Sequence, residues 1–365
     1  MKIFFIVGAR PNFVKLNPVY RTFSKEFKDL KIVHTGQHYD YELDKAFFED
    51  FEIPNPDYYL NVGSDTHAKQ TAKIMIKLDE LFNHDKPDWI FVFGDVNSTI
   101  SASLTAIKRN IKIAHVESGL RSFDLSMPEE INRILTDRIS NVHFVSEPSG
   151  VLNLLKEGIN LNSIYLVGNT MIESLINALK IVDNRFNNLS EKFKIKEKNY
   201  AVLTLHRPSN VDNFEKLKEI MDIIQELSNH IKIIFPAHPR TLKNLQSFDF
   251  KNILITKPLR YLDFISLLKF SKFVLTDSGG IQEETTYLKI PCLTLRENTE
   301  RPITIEKGTN VLVGVNREKI IYHFNEIMNN KFKKGLDIEF WDEFVSKRIL
   351  NGFINYINAL KFQNG

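Results

Sequence analysis

Asp95, Glu117 and Glu129 each follow an apolar run or open a predicted helix, where a strand would hand over to the next helix. Carboxylates gathered on one rim repel one another unless they share a proton, a cation or a substrate hydroxyl, which is the setting of acid–base catalysis or metal binding. Each alone has an ordinary reading: Asp95 as a helix cap, Glu117 as a loop charge, Glu129 as a first-turn acid complementing the helix dipole. Basic residues at comparable positions are Arg10, Lys15, Arg133, His206, Arg207 and His238. His206 directly follows an apolar run, where a histidine can donate to a phosphate or carry a proton near neutrality. The second constellation is Asp277-Ser278-Gly279-Gly280, with Glu284 and, further on, Arg301. Its paired glycines let the chain turn sharply and let a ligand approach bare N–H groups. The helix they open is an anion site, most often for phosphate. With Glu284 for ribose hydroxyls and Arg301 for a diphosphate, a nucleotide site is favoured over a plain tight turn.

The elements that must position these residues follow from the hydrophobic pattern. Lys2–Val7, Ile32–Thr35, Trp89–Phe93, Ile111–Val116, Val142–Val145 and Ile164–Val167 read as strands, most of them continuously apolar. Helices alternate with them: one from Pro11, one capped by Asp65 with Ala68, Ala72, Met75, Leu78 and Phe82 as its apolar face, one from Pro128. Such alternation predicts a parallel sheet covered on both faces, with ligands at the carboxyl ends of the strands. Gly168 marks a seam, and the polar, lysine-rich stretch Asn187–Asn199 reads as a linker. A second alternation runs from Ala201–Leu205 to Phe273–Thr276 and beyond. The fold class is therefore α/β, two Rossmann-like domains facing a cleft, over residues 1–168 and 169–340. Trp341, Val345, Ile349, Phe353, Ile357 and Leu360 recur at helical spacing in a final helix.

Bulk properties narrow the function classes. A chain of 365 residues is long for one core, and 43% apolar with 25% charged residues is ordinary for a water-soluble protein. Its 48 basic and 45 acidic residues leave +3, which gives no nucleic-acid or membrane footprint. Cys292 is the single cysteine, in an apolar strand, which fits a reducing cytoplasm and a buried thiol. The first strand begins at Lys2, so no signal peptide is expected, and no apolar run is long enough to span a membrane. HExxH, GxxxxGK[ST], GxSxG and GxGxxG do not occur.

Taken together, Gly8-Ala9-Arg10-Pro11 with Lys15, Gly94-Asp95-Val96-Asn97-Ser98-Thr99, His115 to Arg121, Pro128 to Arg133, Thr276 to Glu284 and Thr299-Glu300-Arg301-Pro302 resemble the non-hydrolysing UDP-N-acetylglucosamine 2-epimerases. The resemblance runs nearly the whole length, in order. It implies the GT-B-like fold, a homodimer, and a last helix, 341–365, that returns to the first domain. It further implies interconversion of UDP-GlcNAc and UDP-ManNAc through elimination of UDP to a 2-acetamidoglucal and its re-addition, with neither metal nor nicotinamide required. Asp95, Glu117 and Glu129 would be the acid–base groups and His206 the group nearest the diphosphate. Arg10, Lys15 and Arg133 would support the sugar. Ser278, Gly279, Gly280, Glu284, Arg301 and His238 would hold the nucleotide, with Phe264 beside the uracil. Rival readings are a hydrolysing 2-epimerase, an epimerase of a UDP-diacetamido sugar, a GT-B glycosyltransferase and a silent nucleotide-sugar sensor. The chain departs from many members at His206-Arg207-Pro208-Ser209-Asn210, where they carry Arg-Glu after the histidine. In those members that loop and a Gln-His pair, here Gln37-His38, form a regulatory site for a second UDP-GlcNAc.

Overall fold

Strands this apolar have to be covered on both faces, and two parallel sheets with flanking helices do so. The computed structural model describes residues 1–36, 48–245, 248 and 250–363. In the first sheet the strands are β1 (Lys2–Val7), β2 (Asp29–His34), β3 (Tyr58–Tyr59), β4 (Trp89–Phe93), β5 (Lys112–Ser118), β6 (Val142–Val145) and β7 (Ile164–Leu166). Their order is β3-β2-β1-β4-β5-β6-β7, and every pairing is parallel. The second sheet holds β8 (Tyr200–Thr204), β9 (Lys232–Pro236), β10 (Ile253–Thr256), β11 (Phe273–Thr276), β12 (Cys292–Thr294) and β13 (Asn310–Leu312), in the order β10-β9-β8-β11-β12-β13. In each sheet the winding reverses once, between β1 and β4 and between β8 and β11. Crevices that accept ligands open at such reversals, outside the carboxyl ends of the two central strands.

The chain forms two compact units, residues 1–174 with 339–365, and residues 175–338. In the first, helix α1 (Arg10–Phe23) follows β1, α2 (His67–His84) precedes β4, α3 (Asn97–Lys108) follows β4, and α4 (Pro128–Ile139) follows β5. In the second, the helices of interest are α5 (Phe214–Ser228), α6 (Tyr261–Lys269), α7 (Gly279–Tyr287) and α8 (Arg317–Met328). The last helix, α9 (Val345–Gln363), packs on α1 within the first unit. There Phe353 sits against Phe23, Trp89 and Phe91 at ring-centroid distances of 5.7, 5.0 and 5.1 Å.

Two local expectations change. Helix α2 is capped at Thr66, one residue after Asp65, and its buried stripe is Gln70, Ile74, Leu78 and Phe82. Ala68 and Ala72 face outward, because the larger Ile74 removes more apolar area from water when it takes the sheet side. A helix from Asp183 to Phe193 runs into the predicted linker, with Leu189 and Phe193 buried one turn apart. Two apolar side chains at that spacing anchor a short helix that its polar composition hides.

Candidate active site

At the reversal of the first sheet, β1 is followed by Gly8 and β4 by Gly94. Asn12, in the first turn of α1, accepts from the Gly8 and Ala9 amides at 3.2 and 3.1 Å and donates to the Phe93 carbonyl at 2.9 Å. One side chain thus locks the two strand ends together. A Cβ on Gly8 would lie 1.9 Å from the Ser98 Oγ, so only glycine lets α3 start this close. Lys15, one turn along α1, is buried and reaches Glu117 Oε1 at 2.7 Å. Gly94, at φ +62°, leaves room for that pair: a Cβ there would stand 2.7 Å from Lys15 Nζ and 3.5 Å from Glu117 Oε1.

Glu117 is the extra residue of a β-bulge. The register between β5 and β6 shifts between Val116 and Ser118, and Glu117 stands at φ +70°. A non-glycine residue in that conformation is held by its surroundings, and bulges re-aim side chains at strand ends. Asp95, half-buried, accepts from Arg133, which also donates to the fully buried Glu130. Glu130 in turn accepts from the Ser122 and Phe123 amides at 3.0 and 2.9 Å, so it anchors the loop before α4. Glu129 is half-exposed in the first turn of α4 and makes no side-chain hydrogen bond among the described residues; it shares the helix face of Arg133, four residues on. Arg10 is half-buried at the start of α1. The expected residues of this half, apart from Glu129, are therefore brought into one rim by direct contacts or adjacent turns.

The second sheet has a rim of its own at its reversal. Asp277, fully buried after β11, accepts from the His206 and Arg207 amides at 3.1 and 3.0 Å, from Asn210 Nδ2 at 3.1 Å, and pairs with His206 Nδ1 at 2.7 Å. Burial works to raise the Asp277 carboxyl, yet the His206 charge and these donors hold it below its ordinary value. The His206 ring is 56% exposed, so desolvation, which works to lower its pKa, is outweighed by the Asp277 carboxylate, and the ring is raised above the ordinary 6.5. Ser278 stands at the N-cap position of α7, and Ser278, Gly279 and Gly280 are all partly open to solvent with the helix N-terminus behind them. Glu284 accepts from the Tyr261 hydroxyl at 3.1 Å. Arg301 is buried, paired with Glu283 at 2.8 Å and with Glu300, which also takes Arg296 at 2.7 Å. Its charge is already balanced, and a Cβ on Gly279 would meet its Nη1 at 2.6 Å, so it lies directly behind the α7 start. Phe264 is half-buried on α6, and His238 is exposed after β9. Gln37 and His38 lie outside the described residues.

A family model described as UDP-N-acetylglucosamine 2-epimerase matches residues 22–353. The UDP-N-acetylglucosamine 2-epimerase of Methanocaldococcus jannaschii is 46% identical over 342 residues, covering 91% of this chain and 93% of that protein. The chain belongs to the UDP-N-acetylglucosamine 2-epimerase family. The crystal structure of the M. jannaschii enzyme in complex with UDP-GlcNAc and UDP superposes with a TM-score of 0.89 at 45% identity, over 97% of this chain and 99% of that one. The fold is accordingly the GT-B-like α/β fold of these epimerases. A UDP-2,3-diacetamido-2,3-dideoxy-D-glucuronate 2-epimerase of Pseudomonas aeruginosa is 37% identical over 326 residues, covering 88% of this chain and 90% of that protein. No helix among the described residues is long and apolar enough to cross a membrane.

For this 2-epimerase family member, sequence reasoning missed the residues that hold the site residues. Asn12, Glu130 and Asp277 are buried hydrogen-bond hubs; Asp277 reads in sequence only as the first residue of its turn, and nothing in the spacing of the three separates a hub from a solvated polar residue. Glu130 carried the one available signal, a second acid beside Glu129 at a helix start, where the buried member takes the backbone amides.

Proposed function

We propose that the protein catalyses reversible C2 epimerisation of UDP-GlcNAc to UDP-ManNAc. The single observation that carries this reading is the pair of rims at the two sheet reversals. The first presents carboxylates each gripped by a cation, Glu117 by Lys15 at 2.7 Å and Asp95 by Arg133. The second presents an amide-lined helix start beside a histidine whose pKa the Asp277 carboxylate raises. The C2 proton of the sugar is not acidic, so the chemistry is elimination and re-addition. A carboxylate takes the C2 proton, the C2–H electron pair becomes the C1=C2 bond, and the C1–O bond breaks to release UDP. Protonation of the 2-acetamidoglucal on its other face and return of UDP to C1 complete the inversion. Asp95, Glu117 and Glu129 are the acid–base groups in this scheme, with Arg10, Lys15 and Arg133 setting their charge and holding the sugar. His206 neutralises the departing diphosphate. The α7 start at Ser278, Gly279 and Gly280, with Glu284, Arg301, His238 and Phe264, retains the nucleotide for re-addition. Residues 1–168 with 341–365 supply the acid–base half and 169–340 the nucleotide half. A homodimer in the cytoplasm is the form we assign to it, to be checked by light scattering of the purified protein.

Proton NMR with UDP-GlcNAc in deuterated water tests the reaction. UDP-ManNAc carrying deuterium at C2, at an equilibrium, supports the proposal; free ManNAc with UDP means a hydrolysing enzyme. The relationship to the diacetamido-glucuronate epimerase favours one second reading, in which UDP-GlcNAc binds unchanged and the UDP-diacetamido uronic acid is inverted instead.

A further inference from the structure

The bulge at Glu117 has both its ends tied to one buried side chain on α4. Asp137 is fully buried, and its Oδ1 meets His115 Nδ1 at 2.6 Å while its Oδ2 accepts from the Gly119 amide at 3.0 Å. His115 lies two residues before Glu117 and Gly119 two residues after, so the carboxylate straddles the bulge. Gly119 itself stands at φ +81°, and a Cβ there would strike the Gly150 carbonyl at 2.4 Å. The other ring nitrogen of His115, Nε2, faces the Gly94 carbonyl at 2.8 Å, one residue before Asp95. Arg121 Nη1 lies 2.7 Å from Asp137 Oδ2, with Glu157 backing the same guanidinium, and His143 Nε2 donates to the Asp137 carbonyl at 2.8 Å. His115, Asp137, Arg121 and His143 are all buried, and only Glu157 among these side chains is exposed.

We infer that Asp137 with His115 is the positioning pair of the acid–base site: it holds Glu117 in its left-handed bulge and ties the Gly94-Asp95 turn to it. Physically, a non-glycine residue at positive φ persists only where neighbours over-determine it. Here two charge-assisted hydrogen bonds from one carboxylate fix the chain on either side. The His115 ring carries the constraint from Asp137 at Nδ1 across to the Gly94 carbonyl after β4 at Nε2. Two of the three carboxylates assigned to proton transfer, Asp95 and Glu117, are thereby set by one rigid group that touches no substrate. Burial pushes the Asp137 carboxyl up, but His115 and Arg121 bring it down to about 2, so it stays ionised over the working range. This inference rests on the epimerase reading for its catalytic consequence, while its structural content does not.

The test uses the full-length protein with Asp137→Asn, His115→Gln and His115→Asn. Gln keeps a donor near Nε2 for the Gly94 carbonyl and loses the Asp137 contact; Asn does the reverse. Hydrogen exchange read by mass spectrometry over residues 93–96 and 116–120 should quicken about tenfold in Asp137→Asn, since the Gly119 amide loses a charged acceptor. Each His115 variant should loosen mainly the segment whose contact it drops. With UDP-GlcNAc, kcat should fall on the order of 100-fold while KM and UDP affinity move less than threefold, as expected for displaced reacting groups. Folded variants with wild-type exchange in both segments overturn the inference, as does faster exchange with kcat within twofold of wild type. If Asp137→Asn does not fold, the His115 pair decides by the same readouts. Should the wild type leave UDP-GlcNAc unchanged, the epimerase reading fails, and exchange still decides whether Asp137 holds the bulge.

Discussion

At the scale of residues, the site pairs Glu117 with Lys15, Asp95 with Arg133 and His206 with Asp277, each charge against one of opposite sign. If Glu117 transfers a proton, Glu117→Gln keeps the shape and loses the base, so turnover of UDP-GlcNAc should drop at least about 1,000-fold. Isothermal titration should find UDP affinity within about threefold of wild type, because the nucleotide groups belong to the other sheet; joint loss of fold and UDP binding would make Glu117 structural. Asp95→Asn carries the same expectation. His206 offers a pH test. Its pKa is raised in the folded protein, so its stabilising pair with Asp277 is complete below about pH 6.5, the unfolded value, and is lost as pH rises through the folded value. Asp277 is depressed, so its share is present above the ordinary carboxylate pKa and is lost as pH falls through its folded value. UDP affinity should therefore weaken as pH rises through the His206 midpoint. In Asp277→Asn the midpoint, followed by ring-proton NMR, should move down; an unmoved midpoint would sever the pair.

At the scale of elements, the chain's periodicity carries most of the placement and little of the geometry. Continuous apolar runs such as Trp89–Phe93 made the strands readable, and the strand-end rule put Gly8, Asp95, His206 and Ser278 on rims before any contact was known. The Glu117 bulge was not readable, because a bulge is a mismatch between two strands and Val116-Glu117-Ser118 looks like any strand end. His115 reads in sequence only as the first residue of the His115 to Arg121 run, since its two partners are 21 and 22 residues away. The polar stretch Asn187–Asn199 misled because two buried side chains, Leu189 and Phe193, set the helix that runs into it. Caps, by contrast, are local and give a local prediction. Asn213 accepts from the Lys216 amide at 3.1 Å at the start of α5, so Asn213→Ala should cost about 1 kcal/mol in denaturant unfolding, with Asn213→Gly costing only a few tenths. Equal losses for both would point to a role other than capping.

At the scale of the whole molecule, α9 joins the end of the chain to its beginning, and the physics of that joint gives the last prediction. Phe353 is fully buried on α9 and packs against Phe23 of α1, Trp89 and Phe91 of β4, so its ring is shared by the layers that carry Asn12, Lys15 and Gly94. Phe353→Ala removes a buried ring and leaves a cavity, a change that costs about 3–5 kcal/mol. Gly168 adds a second tie: it stands at φ +91°, and a Cβ there would lie 2.0 Å from the Phe340 carbonyl, so the segment leading into α9 is seated directly on the end of the first sheet. The damage should stay in the first compact unit. Both tryptophans, Trp89 and Trp341, lie in that unit, so their fluorescence reports it alone. In Phe353→Ala the fluorescence midpoint should fall on the order of 10 °C, while hydrogen exchange in β8 and β11 stays as in wild type. Loss of protection in β8 and β11 at the same temperature would instead show that the two units unfold as one, and that α9 supports the entire chain rather than the half that carries Asp95 and Glu117.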